Sequence, residues 1–92
     1  MVSMLNKVVE ISVPRAYVLK VRFQDGAGGL HDCSALASEP GPIVEPFRDP
    51  EFFARVTLDY GAPTWPNGYD MCPDWLRMEM EKAGELIGVA AE

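Results

Sequence analysis

The residues with the clearest chemical potential lie in one short segment of this 92-residue chain, between Trp65 and Asp70. The indole of Trp65, the amide of Asn67 and the carboxylate of Asp70 offer an apolar surface, a donor–acceptor group and a charge. That combination suits a shallow recognition site. The preferred interpretation is structural: Asn67 sets a turn, Trp65 packs into the core, and Asp70 accepts hydrogen bonds from backbone donors or caps the next helix.

Asp25 is the second carboxylate of interest, because together with Asp70 it could form a pair for acid–base chemistry. Two carboxylates acquire different pKa values only when one is desolvated or when they lie close together. The sequence indicates neither condition, and Asp25-Gly26 is a common turn dipeptide. We therefore predict a protein without catalytic residues, and we keep Asp25 with Trp65, Asn67 and Asp70 as candidate binding residues.

Metal and cofactor sites have weaker support. His31 is the single histidine; it would share a strand face with Cys33, and Cys72 could join them around a zinc ion. There is no second histidine and no second pair of cysteines, so packed thiols and a surface histidine are the preferred interpretation. Ser34 follows His31 too closely for a catalytic triad. The glycine-rich run 25–29 lacks the Lys-Ser/Thr end of a phosphate loop. We predict no metal and no cofactor.

The charge distribution limits the class of partner. The chain carries 14 acidic and 8 basic residues, for a formal net charge of −6, and residues 47–92 contribute nine acids against four bases. Because nucleic-acid affinity depends on phosphate neutralisation by Lys and Arg, we predict no direct nucleic-acid binding. An acidic surface suits a basic protein partner. With so small a core, a homodimer is a second expectation.

Targeting signals are not recognisable in the sequence. No apolar run approaches the ~18 residues that a membrane-spanning helix needs. The first residues do not combine a basic start with an apolar stretch, which is the pattern of a signal peptide. We therefore expect a cytoplasmic protein that does not enter a membrane.

Hydrophobic alternation predicts several short strands. Residues 7–13 form the first, with Val9, Ile11 and Val13 on its apolar face. Pro14-Arg15 should break this strand, because proline lacks a backbone donor. Residues 17–23 form the clearest one, with an apolar face opposite Lys20 and Arg22. Residues 25–29 then form the turn of a hairpin with a strand at 30–33. Further strands are predicted at 43–47, on a sheet edge, and at 56–60, and a turn at 61–63 follows the second of these. The lysine–arginine face and the edge at 43–47 are candidate partner surfaces.

Helix signals are concentrated in the second half. Asp49-Pro50-Glu51 combines an N-cap acid with a proline at the first helical position and predicts a short helix ending near Arg55. Pro73 should begin the final helix, whose apolar stripe continues to Ile87 before Gly88 ends it. These elements predict one α+β domain over residues 1–92, with a small antiparallel sheet of about four to six strands, short helices and a C-terminal helix.

Three segments resemble a bacterial domain-of-unknown-function family, number two-four-four-two. They are residues 17–26, residues 47–53 and residues 65–70, the last followed by Pro73 and Leu76. The resemblance covers about residues 5–77 and leaves 78–92 as a helical C-terminal extension. It implies a small α+β domain with a curved antiparallel sheet.

Some relatives in this family carry a helix-turn-helix domain, and many are encoded in pairs that resemble toxin–antitoxin systems. The resemblance therefore implies a non-catalytic protein-interaction or regulatory module, one member of such a pair. The alternative is a small-ligand-binding domain that uses a groove near Trp65 and Asp70.

Overall fold

The structure is a computed structural model that describes residues 7–87. A four-stranded antiparallel sheet with the strand order β1-β2-β3-β6 forms its centre, and β4 and β5 form a separate two-stranded sheet. The α+β class and the C-terminal helix predicted from the sequence are confirmed. In chain order the elements are β1 (Val8–Arg15), β2 (Val18–Phe23), β3 (Gly28–Asp32), a 3₁₀ helix (Ser34–Ser38), a second 3₁₀ helix (Glu45–Arg48), α1 (Pro50–Phe53), β4 (Thr57–Asp59), β5 (Ala62–Thr64), α2 (Pro73–Lys82) and β6 (Leu86–Ile87).

The core lies on one face of the four-stranded sheet. Leu19, Val21 and Phe23 of β2 are buried there, together with Leu76 and Met80 of α2. The side chains between them on β2 point to the opposite face, as the period of two in the sequence predicts. The helices therefore cover one face of the sheet and leave the other without a covering layer among the described residues.

The first strand differs from its prediction in two respects. Pro14 does not end β1, which continues to Arg15. β1 is an outer strand, where proline is tolerated, and Pro14 lies within the register irregularity between Ser12 and Arg15. A register shift between Val8 and Glu10 also buries Val8 and leaves Val9 exposed, whereas simple alternation predicted Val9 on the apolar face.

The predicted edge strand at residues 43–47 is wrong. This segment contains the 3₁₀ helix Glu45–Arg48, in which the Phe47 amide donates to the Val44 carbonyl. Pro46 lies in the first turn of that helix, where its fixed φ angle is suitable and its missing donor costs nothing. The apolar run buries Val44 and Phe47 from a helical turn instead of a strand.

The next two elements follow their predictions more closely. The Asp49 carboxylate accepts a hydrogen bond from the Glu51 amide at 2.9 Å, so the predicted N-cap of α1 is confirmed. The strand predicted at 56–60 corresponds to β4. Tyr60, the last residue of the predicted strand, lies in the turn into β5. Ala62 and Pro63, predicted as part of that turn, are strand residues of β5.

The final helix begins at Pro73 as predicted but ends earlier than its apolar stripe suggested. α2 stops at Lys82, and Gly84, predicted to lie within the helix, adopts a φ of +72° just beyond its end. The Glu85 amide donates to the Met80 carbonyl at 2.8 Å, which is the long bond of a Schellman motif. This turn returns the chain to the sheet, where Leu86–Ile87 forms β6 beside β3.

The predicted helical extension over residues 78–92 is therefore wrong between Ala83 and Ile87, where the chain forms a turn and a strand. Residues 88–92, including the predicted stop at Gly88, lie outside the described residues. Within residues 7–87, no helix combines the length and apolarity needed to cross a bilayer.

Candidate interaction site

Trp65 is a core residue. Its side chain is buried, and its indole Nε1 donates a hydrogen bond to the Phe53 carbonyl oxygen at 2.8 Å. The ring centroid of Phe47 lies 5.1 Å from that of the indole in an edge-to-face arrangement. A buried indole with a satisfied N–H stabilises the fold strongly but offers no surface to a partner.

Asn67 supports the turn that follows. Its Oδ1 accepts a hydrogen bond from the Tyr69 amide at 3.1 Å, and its Nδ2 donates to the Ile43 carbonyl at 2.8 Å. The Gly68 amide donates to the Trp65 carbonyl at 2.9 Å, and Gly68 takes a φ of +90°. The predicted tight turn is thus confirmed, with glycine alone in the left-handed region.

Asp70 is exposed, and its backbone forms a bridge with Thr64. The N-cap position of α2 is Cys72, without a side-chain cap, so Asp70 does not cap this helix. Of the three candidate residues in this segment, Asp70 is the one whose side chain is exposed. A recognition role for Asp70 stays a prediction.

Asp25 belongs to a different network of contacts. Its two carboxylate oxygens each lie 3.0 Å from a guanidinium nitrogen of Arg77 on α2, a bidentate ion pair. Hydrogen bonding to Arg77, with a smaller contribution from the Ala27 amide, lowers the pKa of Asp25 below its ordinary value of 3.8. Asp25 therefore joins the β2–β3 turn to α2. The structure gives it a structural partner and does not pair it with Asp70.

The candidate zinc residues differ in their contacts and in their exposure. His31 Nδ1 lies 2.7 Å from a carboxylate oxygen of Glu85, and both side chains are largely buried. Burial raises the pKa of the Cys33 thiol to about 12, which keeps it protonated and unreactive. Cys72 is exposed. Among residues 7–87, no group of three or more His, Cys, Asp or Glu side chains could hold a metal ion.

The surface that the structure adds to these candidates is the uncovered face of the four-stranded sheet, called here the open face. The strand register places its side chains in two rows. One row contains Ser12, Lys20 and Leu30, which lie side by side on β1, β2 and β3. The neighbouring row runs across all four strands through Glu10, Arg22, Gly28 and Ile87.

Gly28 makes a depression in the second row, because no side chain separates Arg22 from Ile87. A Cβ at position 28 would lie 2.4 Å from the Val21 carbonyl oxygen, so the close approach of β2 favours glycine there. The resulting groove has a volume of about 1200 Å³ and is lined by both rows of the open face. Leu30 and Ile87 supply exposed apolar surface within it.

The charges of the groove are only partly paired. Arg22 contacts Glu10 at 2.9 Å, and its hydrogen bond lowers the pKa of that exposed carboxylate. Lys20 and Arg15 also line the groove but form no ion pair within residues 7–87. The groove therefore presents two available cations beside apolar surface, although the chain as a whole carries a formal charge of −6.

One wall of the groove comes from the end of the described chain. Glu85, which lines the groove, accepts a hydrogen bond from the Asp32 amide at 3.2 Å in addition to its contact with His31. Gly29 permits this arrangement, because a Cβ there would lie 2.0 Å from the Glu85 carbonyl oxygen. The sequence pattern placed Lys20 and Arg22 on one strand face. The wall formed by Glu85 was not predicted, because the residues around Glu85 were expected to be helical.

Comparison with protein-family models, with curated proteins and with solved structures gives no match to this chain.

Proposed function

We propose that this domain is a non-catalytic protein-interaction or regulatory module whose partner docks on the open face of the four-stranded sheet. The observation that supports this most is the exposed groove itself. An antiparallel sheet commonly packs one face on the core and exposes polar side chains to solvent on the other. Here the face without a covering layer among the described residues also carries the exposed apolar side chains of Leu30 and Ile87.

The open shape of the groove favours a polypeptide occupant. Pockets for small ligands enclose about 300–1000 Å³ and bury most of the ligand surface. The groove of about 1200 Å³ lies along the face of a sheet and is open to solvent. It is also lined by residues other than Trp65, Asn67 and Asp70, so the small-ligand alternative near that segment is not supported by this groove.

The chemistry of the partner follows from the formal charge of −6. At long range an acidic domain attracts a basic protein, and this attraction increases the association rate more than the final affinity. At the open face itself, contact with Leu30 and Ile87 supplies apolar burial. Membership of a toxin–antitoxin-like pair is an expectation from the family resemblance, and it forms part of this proposal.

The test is a pull-down of the tagged protein from its native cell extract, washed at low and at high salt. Leu30→Asp places a charge in the groove, whereas Val9→Asp places the same charge at an exposed position that does not line it. The two side chains are matched in exposure, at 40% and 42%. Circular dichroism of both variants verifies that they fold.

We expect one stoichiometric basic partner that Leu30→Asp loses and Val9→Asp retains, with weaker capture in the high-salt wash. Equal capture by both variants would show that the partner binds elsewhere and would overturn the proposed use of the open face. If the pull-down captures only the protein itself, the proposal of a separate protein partner is overturned.

A further inference from the structure

The outer edge of β1 is a second surface without a partner among residues 7–87. β1 has eight residues and lies at one end of the four-stranded sheet, whereas β6 at the other end has two. The Glu85 carboxylate covers part of that other edge by accepting a hydrogen bond from the Asp32 amide. Since an edge strand offers backbone donors and acceptors to a further strand, β1 is the edge at which this sheet can be extended.

The outward backbone groups of β1 can be identified from the pairing of β2. The Phe23 amide donates at 2.7 Å to the carbonyl of the residue before β3, so the backbone of Phe23 faces β3. Backbone groups alternate between the two sides of a strand, so Lys20 faces β1 and its partner Ser12 faces β2. Ile11 and Val13 flank Ser12 and both pack against the core, so the alternation is regular here. Their amides and carbonyls therefore point outward.

The free edge of β1, as residues 11–13 are called here, is limited at both ends. At one end the Val8 amide donates to the Gly61 carbonyl of the β4–β5 turn at 2.9 Å. At the other end Pro14 has no amide to donate, and the register of β1 is irregular towards both ends. Such features prevent open-ended strand addition, so the free edge can accept one short strand.

This free edge is complementary to a second copy of itself. If a second β1 runs antiparallel with the two Ser12 residues opposed, Ile11 of each copy lies opposite Val13 of the other. Each of these pairs can exchange both of its amide–carbonyl hydrogen bonds, because their backbone groups point outward. The opposed Ile11 and Val13 side chains are apolar and half-buried, so they extend both cores across the contact. The two Ser12 side chains are small and uncharged.

The charges of β1 also favour a second copy over a charged partner at this edge. Within β1 the single acid, Glu10, and the single base, Arg15, cancel, although the whole chain carries a formal charge of −6. Glu10 is bound to Arg22 at 2.9 Å and would lie opposite Pro14 of the second copy, so like charges are not directly opposed. A basic protein gains no attraction at this neutral edge, whereas two acidic molecules can meet there.

We propose that β1 pairs antiparallel with β1 of a second copy, so that two molecules form one sheet with four strands from each. The two-fold axis passes between the Ser12 residues, perpendicular to the sheet. Both copies use the same surface, so the assembly closes as a dimer. This symmetry places both open faces on one side of the shared sheet and leaves Leu30 and Ile87 accessible. The inference is independent of the partner proposed for the open face.

The position on the two-fold axis provides the test. A strand edge makes a small interface, so association is measured by sedimentation of the untagged protein from about 10 µM to 1 mM. Ser12→Glu opposes two carboxylates across the axis, Ser12→Lys opposes two ammonium groups, and an equimolar mixture opposes one of each. Ser38→Glu is the control for the first, because Ser38 is also an exposed serine and lies outside β1.

We expect the average mass of the wild type and of Ser38→Glu to rise with concentration and to stop at twice the monomer mass. Ser12→Glu and Ser12→Lys each associate at least tenfold more weakly, because like charges opposed across two strands are destabilising. Their mixture recovers association. A wild type that stays monomeric, a mass that exceeds the dimer, or a mixture no stronger than its components would overturn the edge pairing.

Amide hydrogen exchange of the wild type tests the same contact without a substitution. The Ile11 and Val13 amides face outward in the monomer and donate hydrogen bonds in the dimer, so their exchange should slow as the concentration rises. The exposed Tyr60, in the β4–β5 turn, should exchange its amide at an unchanged rate. If the protein is dimeric and the Ile11 and Val13 amides exchange as fast as in the monomer, the contact lies elsewhere and the inference is overturned.

Discussion

Tyr60 occupies a position where its side chain should reduce stability. It is the first of two residues between the paired Asp59 and Ala62 of the β4–β5 hairpin, with a φ of +52°, and Gly61 follows at +82°. Two-residue hairpin turns with both φ angles positive favour Asn-Gly, because asparagine tolerates the left-handed region better than an aromatic residue. The Tyr60 side chain is 91% exposed, so little burial compensates for the backbone cost.

Replacing Tyr60 with Asn should therefore stabilise the protein. A left-handed conformation costs an ordinary residue roughly 1–2 kcal/mol, and asparagine recovers about 0.5–1 kcal/mol of this. With an unfolding entropy of about 2.1 cal/mol/K per residue, 1 kcal/mol corresponds to about 5 °C in the melting temperature of a chain this long. The expected increase is about 3–5 °C.

Tyr17 provides a matched control with the opposite sign. It has a φ of +60° in the two-residue turn between β1 and β2, but its hydroxyl donates to the Phe47 carbonyl at 2.6 Å. Its ring also lies 5.4 Å from that of Phe53. Losing the hydrogen bond costs about 1 kcal/mol and losing the ring contact about 0.5–1.5 kcal/mol. Tyr17→Asn should therefore destabilise the protein despite the same backbone relief.

Urea titration and calorimetry of both variants measure these changes. The expected result is a higher denaturation midpoint for Tyr60→Asn and a lower one for Tyr17→Asn, with unchanged slopes. Equal effects of the two substitutions, or a destabilised Tyr60→Asn, would show that the backbone conformation of the β4–β5 turn does not control its stability and would refute the reasoning.

Three other predictions concern the ion pair, the sheet edge and the thiols. Because the pKa of Asp25 is lowered, its ion pair with Arg77 stabilises the protein fully at pH values above 3.8, the ordinary pKa of Asp25, and this stabilisation is lost as the pH falls through the pKa of the folded state. Asp25→Asn should therefore lower the free energy of unfolding at pH 7. In acid titrations, the same variant should lose less stability below about pH 4 than the wild type does. Gly29→Ala should displace the Glu85 carbonyl and cost at least about 2 kcal/mol in urea unfolding, whereas no change would contradict the close approach. In native protein, iodoacetamide should label Cys72 and spare Cys33 until denaturant is added, as peptide mapping can verify.

The sequence predicted the elements whose local pattern and tertiary environment agree. β2 was predictable because its alternation matches a sheet with one covered face, and α1 because Asp49 and Pro50 give the same local signal. Residues 43–47 were not predictable, since their apolar pattern fits a strand and a 3₁₀ turn equally well. Burial of Phe47 against the aromatic rings around it, Trp65 among them, favours the helical turn.

The candidate site was less predictable, because it depends on long-range register. The alternation showed that Lys20 and Arg22 share a face, but it could not show that Gly28 lies beside Arg22 or that Ile87 lies beyond it. That arrangement requires Gly84 to end α2 and return the chain to β3. The apolar stripe continuing to Ile87 indicated helix instead, so the groove and its wall were missed.

The central claim is that the open face of the sheet binds protein. The most direct test is the affinity of the purified partner for the wild type, Leu30→Asp and Val9→Asp, measured by isothermal titration calorimetry. We predict at least a tenfold loss of affinity for Leu30→Asp, or about 1.4 kcal/mol, and no change for Val9→Asp. Equal affinities for the three proteins would place the interaction elsewhere on the molecule and contradict the claim.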